Sequence, residues 1–246
     1  MNKAIGRRRT VVSLLFLFIS LNVVTADNEI YIDQSGATSN LDIEQVGGSG
    51  NIIGGSDATA GASNMTPLDL DGSTMTLDIL QKGSTNKFLG DIWADNYTGY
   101  FSFIGDSNTF NMSTDETNAT GADGSNVNVQ VTGNTNTMTL NHAMTALAAN
   151  LDLDWIIQGG GNSITAAIDV DGATNYMDID GSDNTVTYDG DGYAGGYFYL
   201  DHTGGSRTFN IDQESTSDND WLKITSVGSN GTVCVTQSDA TTSFVC

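Results

Sequence analysis

Ten glycines set the rhythm of this chain. Gly36, Gly47, Gly83, Gly105, Gly133, Gly159, Gly172, Gly181, Gly204 and Gly228 each follow, at a distance of four residues, an apolar side chain: Ile32, Ile43, Ile79, Phe101, Val129, Trp155, Ile168, Met177, Leu200 and Ile224. Five residues beyond the same glycines stand Leu41, Ile52, Phe88, Phe110, Met138, Ile164, Met177, Val186, Phe209 and Val233. Apolar residues are 38% of the sequence, so agreement at both offsets for every glycine is pattern rather than composition. Two residues further on, most repeats add another apolar side chain, among them Met112, Leu140, Ile179 and Ile211, and a step of two is the period of a strand.

Each repeat therefore reads as strand, glycine turn and second strand, with an asparagine usually three residues after the glycine. Glycine and asparagine both tolerate the positive φ that such turns require. Taking Gly83, Gly105, Gly133, Gly159, Gly181, Gly204 and Gly228 as turns on one edge gives a coil of about 24 residues with two strands. A single coil cannot bury its own apolar face, so the coils must stack into one continuous core. The fold class expected is all-β, a β-solenoid of stacked two-strand rungs of 22–26 residues, with Phe110, Met138, Ile164, Val186, Phe209 and Val233 on one inward column. The segments 54–67, 113–125 and 141–150 break the rhythm; the first two read as polar loops, and Ala143–Ala149 as a short helix.

The start of the chain has a different character. Lys3, Arg7, Arg8 and Arg9 precede the apolar run Val11–Leu21, and Val24-Thr25-Ala26 ends in small residues before Asp27. This is the layout of a secretory signal peptide over 1–26, with an apolar run too short for a membrane span, and it leaves 27–246 as one solenoid domain. The expected location is extracellular or at the cell surface, with no membrane contact after cleavage. Removing 1–26 leaves four basic residues, Lys82, Lys87, Arg207 and Lys223, against 30 acidic ones, a net charge of −26. Such a surface repels phosphate backbones, so nucleic acid is excluded as a partner.

Apolar-x-Gln steps stand upstream of several turns: Ile32-Asp33-Gln34, Ile43-Glu44-Gln45 and Ile79-Leu80-Gln81. Gln81-Lys82-Gly83-Ser84-Thr85-Asn86 reads Gln-x-Gly-x-x-Asn, and Gln34-Ser35-Gly36 and Gln45-Val46-Gly47 approach it with Asn40 and Asn51 one residue later. Over residues 30–86 the chain resembles the curlin repeat of bacterial curli fibre subunits. That resemblance implies a secreted strand-turn-strand solenoid assembling end to end into amyloid-like adhesive fibres of biofilms, with inward Gln and Asn ladders at Gln34, Gln45, Gln81 and Asn86. Farther along, the glutamine position holds Phe103, Val131, Ile157, Val170, Ile179, His202 or Ser226 instead.

Three outward features carry binding chemistry. Thr109/Asn111, Thr137/Thr139, Ser163/Thr165, Thr185/Thr187, Thr208/Asn210 and Thr232/Cys234 would align as two columns on one flat face. Such rows resemble those of ice-binding solenoids, and they are equally the rows by which threonine ladders stabilise sheets. The opposite face sets Tyr100, Tyr176 and Tyr199 beside Asp78, Asp154, Asp178 and Asp201, a chemistry suited to cell-surface glycans or simply to solvation. Asp-x-Asp-Gly runs include Asp169 and Asp171, Asp178 and Asp180, and Asp189 and Asp191; paired carboxylates of this kind bind calcium or form turns.

No cofactor is required by these motifs, calcium being the one candidate. Catalysis finds little support: His142 and His202 are the only histidines, and neither stands in a triad or zinc spacing. Cys234 and Cys246, twelve residues apart in an exported chain, invite a disulfide within one chain or between two. The function expected is an extracellular structural and adhesive repeat protein that associates end to end, not an enzyme. A virion fibre component of a marine phage and an ice-binding solenoid are the rival readings.

Overall fold

Alternating apolar and polar residues on either side of each turn glycine leave only one way to bury the apolar set, which is to face two parallel sheets against each other. A computed structural model of the chain describes residues 29–36, 38–56, 65–66, 68–94, 96–114, 124–142, 148–192, 195–215 and 220–238. It is an all-β solenoid without a helix among those residues. The segment 1–26, Cys246 and most of the three irregular segments lie outside the described residues. Of the helix expected over Ala143–Ala149, residues 143–147 lie outside the described residues, and Ala148–Ala149 pairs as a strand with Val170 and Asp171.

One sheet has eight strands, beginning with Thr38–Ser49 and ending with Trp221–Val227; the other has twelve, ending with Gly231–Ser238. Every coil-to-coil pairing is parallel and, through the middle of the rod, free of register shifts. The inward column is seated as the sequence implies: Phe110 lies across Met138, Met138 across Ile164, Ile164 across Val186, Val186 across Phe209 and Phe209 across Val233. The first five are buried; Val233, in the last described coil, is 44% exposed. In the core Phe88, Phe101, Phe103, Phe110 and Trp155 interlock, five of these contacts edge to face with centroids 5.1–6.4 Å apart. That is the arrangement the ring quadrupoles favour.

The seven glycines from Gly83 to Gly228 do share one edge, each with positive φ between 132° and 156°. A side chain there is excluded twice over. A Cβ on Gly105, Gly133, Gly159, Gly181 or Gly204 would run into the carbonyl oxygen of the turn glycine one coil earlier. Gly36 and Gly172 belong to the opposite edge, where Gly36 abuts Gly72.

The asparagines three residues after the turn glycines are not the left-handed residues of those turns, a position that asparagine takes at Asn96, Asn150 and Asn230. The left-handed residue of each turn is the one before the asparagine: Thr85, Ser107, Thr135, Gly161 and Asp183, with φ of 57–67°. Threonine is strained in that region, and Thr85 and Thr135 answer it by donating their hydroxyls to the preceding carbonyls, at 2.6 and 2.7 Å. This kink turns the following asparagine inward. Asn51, Asn86, Asn108, Asn136, Asn162 and Asn184 are all buried and form a continuous ladder. In it the backbone N–H of each donates to the side-chain oxygen of the next, at 2.8–3.1 Å.

Substituting Asn136 by Ala is expected to strand the Asn108 N–H in a dry interior, a loss of about 1–3 kcal/mol. Thr137→Ala, one residue away but facing outward, should stay within about 0.5 kcal/mol of wild type. Gly159→Ala should be worse than either, because the Gly133 backbone it would strike cannot yield without parting two coils. Urea denaturation of the three variants checks the order.

Candidate functional site

The two long outer faces and the end coils are the surfaces available for function. On the twelve-stranded sheet the threonine rows align as the repeat implies. Thr109, Thr137, Ser163, Thr185, Thr208 and Thr232 form one unbroken column, and Asn111, Thr139, Thr165, Thr187, Asn210 and Cys234 the next. With coils about 4.8 Å apart and the columns two residues apart along each strand, the result is a flat lattice of short hydroxyl and amide groups. Lys87 and Leu89 end it on one side, paired with Thr109 and Asn111. At the other end Cys234 is buried and disulfide-bonded; Cys246, the second cysteine of the chain, lies outside the described residues.

Farther along the same strands the hydroxyls give way to carboxylates. Asp169 pairs with Asp191, Asp191 with Glu214 and Asp189 with Asp212. Burial, then the neighbouring acids beginning with Asp189 and Glu214, push the Asp191 carboxyl up to about 6. Burial followed by Glu214 raises Asp189 and Asp212 as well. Asp178 and Asp180 lie on the other sheet, where Asp178 pairs with Asp201, and Asp171 stands at a strand end opposite Ala149. Asp169, Asp171, Asp178, Asp180, Asp189 and Asp191 are thus divided between two faces. Among the described residues no group of three His, Cys, Asp or Glu side chains is arranged to hold a metal ion.

On the eight-stranded sheet one outward column runs Asp42, Asp78, Tyr100, Asn128, Asp154, Tyr176, Tyr199, Lys223. Tyr176 and Tyr199 stack with centroids 5.1 Å apart and planes 13° apart, and Lys223 Nζ sits 4.7 Å from the Tyr199 ring centre. These rings spend their faces on one another and on a cation, leaving edges and hydroxyls outward. Tyr100, half exposed between Asp78 and Asn128, is the tyrosine of this column that stands without a ring neighbour among the described residues.

The glutamine positions divide in the same way. Gln45 and Gln81 point inward in adjacent coils, Gln81 donating to the Gln45 side chain at 2.8 Å, and Asn86 joins the asparagine ladder. Gln34 belongs to the other sheet, across from Leu70, so its motif lies on the opposite edge from the other two. Of the histidines, His142 is buried beside Thr114, whose hydroxyl lies 2.7 Å from Nδ1. His202 occupies the inward column that held the glutamines, with Nε2 3.1 Å from the Gly181 carbonyl and Nδ1 3.0 Å from the Ser226 hydroxyl. Burial lowers its pKa, keeping it neutral. The feature least visible in the sequence is the end of the asparagine ladder: Arg207 takes the next position after Asn184, and Gly231 the one after that.

The raised carboxylates fix a pH dependence. A folded-state pKa near 6 for Asp191, against 3.8 ordinarily, means that the folded chain keeps a proton which the unfolded chain has released. That stabilising contribution is fully present below the unfolded pKa and is lost as pH rises through about 6. The melting temperature should fall between pH 4.5 and 7.5, and Asp191→Asn should raise it at pH 7.5 while flattening the slope. Thermal melts across that range check both.

In comparisons with known proteins, no family model matches this chain, and no curated protein and no solved structure is significantly similar to it.

Proposed function

We propose that this β-solenoid is an extracellular structural and adhesive protein of the curlin-like type, whose copies associate end to end and present their long faces to the surroundings. The observation that carries the reading is the state of the last described coil. Val233 and Val235 are 44% and 43% exposed, although Phe209 and Ile211, across from them in the preceding coil, are fully buried. Half-covered core residues of this kind are buried when another coil is laid against them.

The register indicates which coil would fit. The strands Glu29–Ile30 and Asp33–Ser35 form the opposite limit of the twelve-stranded sheet, and Ile30 belongs to the same inward column as Val233. Stacking a second copy in that register sets Ile30 over Val233, Ile32 over Val235 and Gln34 over Gln237. Both limits lie in the same sheet, so the eight-stranded sheet would be one strand short at every such joint. The contact is therefore weaker than that between two internal coils, and association should be reversible and concentration-dependent. A charge of −26 on each mature copy opposes it further, until salt or calcium screens the repulsion.

The expected outcome is dispersed monomers in low salt and unbranched filaments in high salt or millimolar calcium, seen by sedimentation and negative-stain microscopy. Val233→Lys combined with Val235→Lys should abolish filaments while leaving the circular dichroism spectrum unchanged. Monomers that persist at high concentration with calcium would defeat the reading in favour of a soluble binding module.

The unbroken register of the threonine columns favours a second reading, in which that flat face binds ice. Thermal hysteresis is its direct measure, and Thr137→Lys with Thr185→Lys should remove it. A protein showing no hysteresis in the first place is not ice-binding.

A further inference from the structure

One outward column of the eight-stranded sheet changes character towards its end. Through four coils it holds short polar side chains, Thr98, Asn126, Asp152 and Thr174, and in the last two it holds Tyr197 and Trp221. These two rings lie side by side with centroids 6.2 Å apart and planes 47° apart, and they are 49% and 46% exposed. Tilted rather than stacked, they do not cover each other's faces as the parallel rings of Tyr176 and Tyr199 do. A single exposed apolar residue needs no explanation, but two large rings set together on an otherwise polar, acidic face mark a surface made for contact.

Along the strand Tyr197–Thr203 the surface passes from aromatic to hydrogen-bonding groups. Its outward residues are Tyr197, Tyr199, Asp201 and Thr203, spread over about 20 Å. Beside Thr203 lies an open concavity of about 220 Å³, lined by Ile156, Ile157, Gln158, Asp178, Asp180 and Thr203. Asp178 also stands next to Asp201 across the two coils. A ligand suited to both ends must lay an apolar face on aromatic rings and offer hydroxyl donors to carboxylates, and a chain of sugar rings does both. Charge narrows the class further, because a chain with 30 acidic and eight basic residues repels an acidic glycan. We propose that this face binds a neutral polysaccharide lying along Tyr197–Thr203. One sugar ring rests on the Tyr197–Trp221 platform, and the hydroxyls of later sugars donate to Asp201, Asp178 and Thr203. The inference rests on the adhesive reading above and names its partner; the face is lateral, so end-to-end association leaves it open.

The probes are cellohexaose, a neutral oligosaccharide, and hexagalacturonate, an acidic one of the same length, titrated calorimetrically into the full mature protein in low salt. Cellohexaose is expected to bind at least tenfold more tightly than hexagalacturonate. Trp221→Ala should weaken that binding at least tenfold, and Trp221→Tyr much less, because an aromatic face is kept. If Trp221→Ala does not fold, Tyr197→Ala carries the same test. Three results overturn the proposal: no cellohexaose binding to wild type, binding unchanged by loss of either ring in a folded variant, or hexagalacturonate binding as tightly as cellohexaose. Filaments formed at high salt by a protein that does not bind cellohexaose would sink this inference alone. Cellohexaose binding by a protein that never forms filaments would support it and remove only the end-to-end association.

Discussion

Coil is joined to coil by hydrogen bonds that do not stop where the strands end. At the turn edge the backbone N–H groups of Thr85, Ser107, Thr135 and Gly161 reach carbonyls of the following coil at 2.9–3.0 Å. Beneath them the asparagine side chains carry the same connection through the interior. Corners are ordinarily where a stacked fold leaves polar backbone groups unmet, and an unmet buried group costs about as much as several well-made ones return. With the corner satisfied, the coils can approach to strand spacing, and only then do the two inner faces close over a core of interlocked rings. The glycines are needed for the same approach, since their backbone lies against the carbonyl of the coil before. The flat outer faces follow from that close registry and so depend on the corner.

The seven turns are read easily from the sequence because glycine, the inward apolar residues and the strand period agree with one another. What the asparagines do is not legible from residue type alone, although the repeat resemblance over residues 30–86 implies an inward Asn86. Asparagine is equally suited to a left-handed turn position and to a buried hydrogen-bonding one, and only the backbone of Thr85 or Ser107 decides between them. Gln34 illustrates a related ambiguity. Its local sequence matches that of Gln45 and Gln81, but glycine turns occur at both edges of the solenoid, as at Gly36 and Gly83, and nothing within six residues identifies the edge.

The outward residues are legible as rows and not as sites. Which threonines share a column follows from the repeat, and the register holds from Thr109 to Thr232. Whether two aspartates of a run meet others on the same face depends on which strand each occupies, and the runs at Asp178 and Asp189 fall on opposite sheets. The break in the ladder at Arg207 is hidden in the sequence for a simpler reason. A single departure from a repeat looks like drift until the burial of the residues it replaces is known.

The one-neighbour construction also governs how the rod would bear load. Each coil is hydrogen-bonded along its backbone to the coil on either side, so tension applied at the two ends of the chain is not shared along the length. It is met by the outermost coil, whose hydrogen bonds open before the next coil is strained. Each release pays out one repeat of chain, about 80 Å of contour for about 24 residues. Stretching would therefore proceed in discrete, nearly equal steps inward from the ends, and a tether built on this plan would lengthen by instalments instead of failing at once.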